Sequence, residues 1–373
     1  MHKTKTMKVM VIAGARPNFM KVAPLMKAIE EHNHRAHNGD PRVEGRLVHT
    51  GQHYDEAMSE VFFRELGIRP PDLNLGVGSG SHAVQTAKVM TGFETICEQE
   101  KPDWVVVVGD VNSTMACTLV CAKMGIRVAH VEAGLRSYDR GMPEEVNRIV
   151  TDALADLLLT PSEDADENLR REGVAASKIT CVGNIMIDSL VANLPKSRQS
   201  PILKKLGLNP GEFVYVTLHR PSNVDDQASL TAIMTELDRL ARQLPVVFPI
   251  HPRTRKMCGQ FGISFDANPG LRILDPIGYH DSLCLTEGAR LVLTDSGGLQ
   301  EESTFFRTPC LTLRPNTERP VTVTVGSNKL TNLERLSADL EEVLKREPRF
   351  GRIPARWDGR TAERILHSLL NHS

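Results

Sequence analysis

The alternation of short apolar runs with helical patterns constrains this chain more than any other feature. Apolar runs at 8–13, 46–50, 104–108, 127–130, 157–160 and 179–182 are each bounded by Gly, Pro or polar residues. Helical spacing fills the gaps between them, as at 17–31, 82–100 and 113–124. Runs of four to six apolar residues predict strands buried on both faces, and the intervening helices predict parallel crossovers. The pattern restarts at 213–218, 246–250, 271–274, 291–294 and 310–313. Between the halves lies a polar stretch with two prolines, 193–201, read as a linker. A chain of 373 residues exceeds one comfortable core. The expected fold is therefore α/β, with two Rossmann-like doubly wound domains facing across a cleft. Residues 1–192 form the first, 202–355 the second, and 356–373 a C-terminal helix.

Composition removes several function classes. A net charge of −1 gives no electrostatic footprint for nucleic acid or a membrane surface. Aromatic content of 5% argues against base-stacking platforms. No apolar run approaches the roughly 20 residues that span a bilayer. The seven cysteines include no Cys-x-x-Cys pair, so no metal site is expected, and they read as small core residues in a reducing cytoplasm. Gly76-Val77-Gly78-Ser79-Gly80 follows no clear strand and lacks the G-x-G-x-x-G spacing of a dinucleotide site. A Walker Gly-Lys-Ser/Thr is also missing, and no cofactor is expected.

In doubly wound sheets ligands sit beyond the carboxyl ends of the strands. The run 291–302 reads as strand, turn and helix start, with Ser296, Gly297 and Gly298 at the turn. Uncovered N–H groups and the helix dipole favour an anion there, such as a diphosphate. Glu302, four residues past Gly298, lies about 6 Å along the same helix face, where a sugar diol would reach. Other strand ends bear Arg16 and Lys21, Asp110, Glu132, and Glu144 beside Glu145. Asp110 is either a helix cap or a cleft carboxylate, and one of Glu144 and Glu145 is explained by the helix dipole. Asp110, Glu132 and Glu144 together form a carboxylate rim. Packed carboxylates raise one another's pKa, which suits acid/base work on both faces of a substrate. His219 and His251 each end a strand before a proline, as structural donors or phosphate-facing groups. Arg314 and Arg319 follow the last clear strand and suit a diphosphate.

With these motifs in order, the chain resembles the non-hydrolysing UDP-N-acetylglucosamine 2-epimerases. The resemblance runs from Gly14-Ala15-Arg16-Pro17 through His130-Val131-Glu132-Ala133-Gly134-Leu135-Arg136 and Met142-Pro143-Glu144-Glu145 to Thr317-Glu318-Arg319-Pro320. It implies a fold similar to the B-type glycosyltransferases and a C-terminal helix that returns to the first domain. It also implies a cytoplasmic homodimer acting in cell-surface polysaccharide synthesis. The implied reaction is reversible C2 epimerisation of UDP-N-acetylglucosamine through UDP departure, a glycal and re-addition. By motif, Asp110, Glu132 and Glu144 resemble the catalytic carboxylates, and His219 a group that binds or protonates the leaving phosphate. Arg16, Lys21, Ser296, Gly297, Gly298, Glu302 and Arg319 resemble the UDP-sugar ligands, with Glu302 on the ribose. Two departures stand out. Gln52-His53-Tyr54-Asp55 replaces the Gln-His-x-x-Met segment tied to a second, activating UDP-sugar. The resemblance therefore does not imply allosteric activation, and related enzymes with Gln-His-Tyr-Asp also act on UDP-diacetamido uronic acids. The uracil-side positions match poorly at Ile277 and Ser282. Rival readings are a hydrolysing epimerase, a glycosyltransferase of the same architecture and a non-catalytic nucleotide-sugar sensor.

Overall fold

The computed structural model describes residues 6–37, 39–51, 69–265, 268–347 and 349–372. The segment Gln52-His53-Tyr54-Asp55 and the Arg16 side chain lie outside the described residues. By internal contacts the chain divides into two units, Met1–Ser189 with Ala355–Ser373, and Leu190–Pro354.

The first unit is built on seven strands: β1 (Met7–Ala13), β2 (Val43–His49), β3 (Leu73–Asn74), β4 (Trp104–Val108), β5 (Arg127–Val131), β6 (Leu157–Thr160) and β7 (Ile179–Cys181). Their order is β3-β2-β1-β4-β5-β6-β7, and every pairing is parallel. The order reverses between β1 and β4, which is where a doubly wound sheet opens its ligand crevice. Val105, Val107 and Leu158 pack the sheet against Val89, Phe93 and Cys117 of the flanking helices. The second unit holds β8 (Val214–Thr217), β9 (Val246–Pro249), β10 (Leu271–Leu274), β11 (Leu291–Thr294), β12 (Cys310–Leu313) and β13 (Asn328–Thr331). Their order is β10-β9-β8-β11-β12-β13, again parallel, with the switch between β8 and β11. Both sheets are thus Rossmann-like, as the alternation predicts.

The last helix, Thr361–Asn371, packs against the helix Arg16–Arg35 of the first unit. Its N-terminus is capped from far away in sequence: the buried Asp188 carboxylate accepts from Thr361 N at 3.1 Å and Ala362 N at 2.8 Å. The returning chain passes so close to Gly183 (φ 96°) that a Cβ there would lie 2.2 Å from the Arg356 carbonyl oxygen.

One expectation needs correcting. The polar stretch read as a linker is helical through its first half, within the helix Ile185–Ser197. Asn193 and Ser197 lie one turn apart and are buried. Asn193 Oδ1 is 2.8 Å from His280 Nε2, and the Ser197 hydroxyl donates to the His280 carbonyl at 3.1 Å. Polarity there marks a hydrogen-bonded face, not solvent.

Candidate active site

At the switch point of the first sheet, Gly14 follows β1 and the helix Arg16–Arg35 begins with Pro17 in its first turn. Asn18 ties this corner together. Its Oδ1 accepts from Gly14 N at 3.0 Å and Ala15 N at 2.9 Å, while its Nδ2 donates to the Val108 carbonyl at the end of β4 at 3.2 Å. One turn on, the buried Lys21 ammonium lies 2.5 Å from Glu132 Oε2. Glu132 follows β5 with φ 71°, the left-handed region that costs a non-glycine residue about 1–3 kcal/mol. It is only 5% exposed, and its Oε1 is buried with no hydrogen-bond partner among the described residues. Gly109 makes this approach possible: at φ 68°, a Cβ would sit 2.8 Å from Lys21 Nζ.

Beneath this pair lies a buried ionic network. His130 Nδ1 is 2.6 Å from Asp152, and its Nε2 is 2.9 Å from the Gly109 carbonyl. Asp152 also meets Arg136 at 2.7 Å and the Gly134 amide at 3.0 Å. Burial alone would raise the Asp152 carboxyl. His130 and Arg136 outweigh that and hold it below its ordinary range.

The carboxylate rim differs from expectation. Glu132 pairs with Lys21, and Asp110 pairs with Arg148 on the helix Pro143–Leu154, so each of these carboxylates faces a cation and not the other carboxylate. Glu144 is exposed on the first turn of that helix. Its neighbour Glu145 is buried, accepting from Ser137 N and Tyr138 N at 2.9 Å and from Arg148 Nη2 at 2.6 Å. Burial pushes the Glu145 carboxyl up, but the Ser137 amide and Arg148 bring it below the usual value. Glu145 is therefore the structural member of the pair. Arg148, buried between Asp110 and Glu145, is a site residue that the sequence reading did not single out. The Glu145–Arg148 spacing of three was its one local signal.

In the second unit, the ends of β8 and β11 meet at Asp295, which has 0% exposure. Its carboxylate accepts from Arg220 N at 2.8 Å, His219 N at 3.0 Å and Asn223 Nδ2 at 3.1 Å. The His219 ring turns back so that Nδ1 lies 3.1 Å from Asp295 Oδ1, with the side chain 42% exposed. Burial by itself raises the Asp295 carboxyl, and His219 with the surrounding donors pulls it below normal. Asp295 lies inside the quoted motif, yet its partners are about 75 residues away in sequence, beyond any local pattern. The His251 ring centroid is 5.6 Å from that of His219, and its Nδ1 accepts from Arg253 N at 3.2 Å, capping the helix Pro252–Gln260. Burial, then the nearby His219 and Arg253, lowers its pKa.

Ser296 is the N-cap of the helix Gly297–Phe306, and its side chain makes no capping bond. The first N–H groups of such a helix have no intrahelical partner. The Arg319 guanidinium lies over this end: a Cβ on Gly297 would meet its Nη1 at 3.0 Å, whereas a Cβ on Gly298 would meet nothing within 4 Å. Arg319 is held by Glu301 at 2.6 Å and by Glu318, which also receives Arg314 Nη2 at 3.0 Å. Arg314 Nη1 is buried with no partner among the described residues. Glu302, one turn into the helix, is buried beside Tyr279, and burial with the neighbouring Glu301 pushes its carboxyl up to about 8.

That last value has a consequence for stability. A carboxyl whose folded pKa exceeds its unfolded one favours the fold below the unfolded value, near 4.5, and loses that contribution as pH rises through about 8. Glu302→Gln is therefore expected to raise the nucleotide-free melting temperature at pH 8.5 relative to wild type, with the difference vanishing near pH 4.5. A difference independent of pH in calorimetry would contradict this.

The family described as UDP-N-acetylglucosamine 2-epimerase matches residues 35–370. This chain belongs to it. Among similar proteins, the UDP-N-acetylglucosamine 2-epimerase of Methanocaldococcus jannaschii is 40% identical over 97% of this chain and 99% of its own. The UDP-2,3-diacetamido-2,3-dideoxy-D-glucuronate 2-epimerase of Pseudomonas aeruginosa is 41% identical over 88% of this chain and 89% of its own. The Methanocaldococcus enzyme, solved with UDP-GlcNAc and UDP, superposes with a TM-score of 0.85 at 39% identity, covering 98% of this chain and 100% of that one. Among the described residues no helix is long and apolar enough to cross a membrane.

Proposed function

We propose that this epimerase inverts C2 of UDP-N-acetylglucosamine, giving UDP-N-acetylmannosamine by elimination and re-addition of UDP. The C2 proton is not next to a carbonyl, so direct abstraction is costly. If the C1–O bond breaks first, UDP leaves with the electron pair and C1 gains oxocarbenium character. A carboxylate then removes the C2 proton, forming the C1=C2 glycal. Reprotonation at C2 on the opposite face and return of the UDP oxygen to C1 complete the inversion, with no external oxidant or reductant. In this reading Asp110, Glu132 and Glu144 supply the acid/base groups, and His219 meets the leaving phosphate. The ligands for UDP are Arg16, Lys21, His251, Ser296, Gly297, Gly298 and Arg319, with Glu302 on the ribose. The observation that carries the reading is Glu132: a buried carboxylate, strained at its backbone, with one oxygen left unpartnered. Such strain clusters at active sites, where the surrounding structure holds it.

A second substrate has specific support. The Pseudomonas relative, named for a UDP-diacetamido-glucuronate, is as similar as the N-acetylglucosamine epimerase above. Incubating the protein alone with each nucleotide sugar in D2O and following products by NMR decides the matter. The expected product is UDP-N-acetylmannosamine carrying deuterium at C2. Stoichiometric free UDP and free sugar would indicate hydrolysis, and turnover of the uronic acid alone would move the substrate. We also propose a homodimer in the cytoplasm. A groove of about 500 Å³ lined by Ala83, Met90, Met115, Pro143 and Val146 offers an apolar contact, and all seven cysteines are unpaired thiols. Light scattering of the purified chain tests the assembly.

A further inference from the structure

We propose that Asp295 is the positioning residue of His219: its carboxylate accepts a hydrogen bond from Nδ1–H, fixes which ring nitrogen faces outward, and makes the imidazole a reversible proton carrier toward an anionic leaving group. Its bearing on the leaving phosphate rests on the epimerase reading. The tautomer does not. Asp295 is surrounded by N–H groups: the amides of His219 and Arg220, the Asn223 side chain, and the His219 ring. An ionised carboxylate only accepts, so the ring nitrogen facing it must carry the proton. Asn223 in turn donates to the Leu313 carbonyl at 3.1 Å, and Arg220 Nε donates to the Asp295 carbonyl at 3.1 Å. The carboxylate is thus clamped and cannot follow a rotating ring. With the proton held on Nδ1, the outward Nε2 has two states. Neutral, it offers a lone pair. Charged, it offers an N–H to an oxyanion. Donation of that proton to the departing oxygen, and its recovery when the oxygen re-adds, requires both. A neutral ring with its proton on Nε2 would donate a hydrogen bond but could not take a proton there. The same logic operates wherever a buried carboxylate backs a catalytic imidazole.

The tautomer can be read directly by long-range 15N–1H NMR on the full chain labelled with 15N-histidine, the His219 signal being assigned through His219→Gln. The neutral ring is expected to carry its proton on Nδ1, whether or not the substrate assignment holds. A neutral ring protonated on Nε2 overturns the proposal. Asp295→Asn, with the epimerisable substrate found above, is expected to lower kcat about 100-fold with UDP binding in calorimetry little changed. Loss of UDP binding in step with kcat would mean a merely structural role and overturn it. The double variant Asp295→Asn with His219→Gln is expected to be no slower than His219→Gln alone, because Asp295 acts through the ring. Multiplying losses would refute that.

Discussion

Glu132→Gln is expected to reduce epimerisation about 10²–10⁴-fold, the usual cost of losing a positioned acid/base group, while UDP affinity changes little. The amide preserves the volume of the side chain, and Glu132 reaches its place through a backbone conformation that Gln can also adopt. What changes is charge. Lys21 Nζ, now 2.5 Å from a carboxylate oxygen, would face a neutral amide, and the unpartnered Oε1 would no longer be a base. A buried lysine without its counter-ion is costly, so part of any loss could arise from local rearrangement. Replacing both partners, as Lys21→Met with Glu132→Gln, removes the stranded charge and separates the two causes. If turnover stays at wild-type level in Glu132→Gln, the residue has no part in the chemistry. If stability and UDP binding both survive in the double variant while activity does not, the carboxylate is needed for the reaction itself. Steady-state kinetics and thermal unfolding on the same samples give both readouts.

Most strands of both sheets were legible in sequence, because strands buried on two faces read as continuous apolar runs and the half-buried edge strands Ile179–Cys181 and Leu271–Leu274 keep enough apolar residues to read the same way. The two that escaped are edge strands. Leu73–Asn74 has two residues, and Asn328–Thr331 is polar at Asn328, Lys329 and Thr331. An edge strand need not be apolar to pair, so periodicity carries little trace of it. The same contrast applies to the sites. Glu132 and the Ser296-Gly297-Gly298 turn were legible since strand, turn and helix follow one another in the chain. Arg148 against Asp110 and Asp295 against His219 join residues 38 and 76 apart, and only the fold brings them together. Each buried ion partner answers a charge that the sequence shows alone. Without their cations, Asp110, Glu132 and Glu144 predict a rim of carboxylates crowding one another.

The pairing around Arg148 leads to the second large effect. Arg148→Met is expected to destabilise the first unit by about 3–5 kcal/mol, since it leaves two carboxylates without their shared cation. Most of that loss should come from Glu145, whose side chain is 1% exposed, and little from Asp110, which at 31% can still be reached by water. Adding Glu145→Gln to Arg148→Met should therefore restore part of the stability, because the amide removes the buried charge and its one oxygen still accepts from either Ser137 N or Tyr138 N, while its NH2 faces the other N–H. It should not restore turnover, because Asp110 still lacks the guanidinium that fixes it. Glu144→Gln gives the opposite pattern. An exposed first-turn glutamate changes stability by no more than about 0.5 kcal/mol, yet under the proposed chemistry its loss lowers activity. Chemical unfolding and kinetics of these three variants thus assign adjacent glutamates to different tasks. If Glu144→Gln is fully active while Glu145→Gln alone, stably folded, is not, the two roles are exchanged.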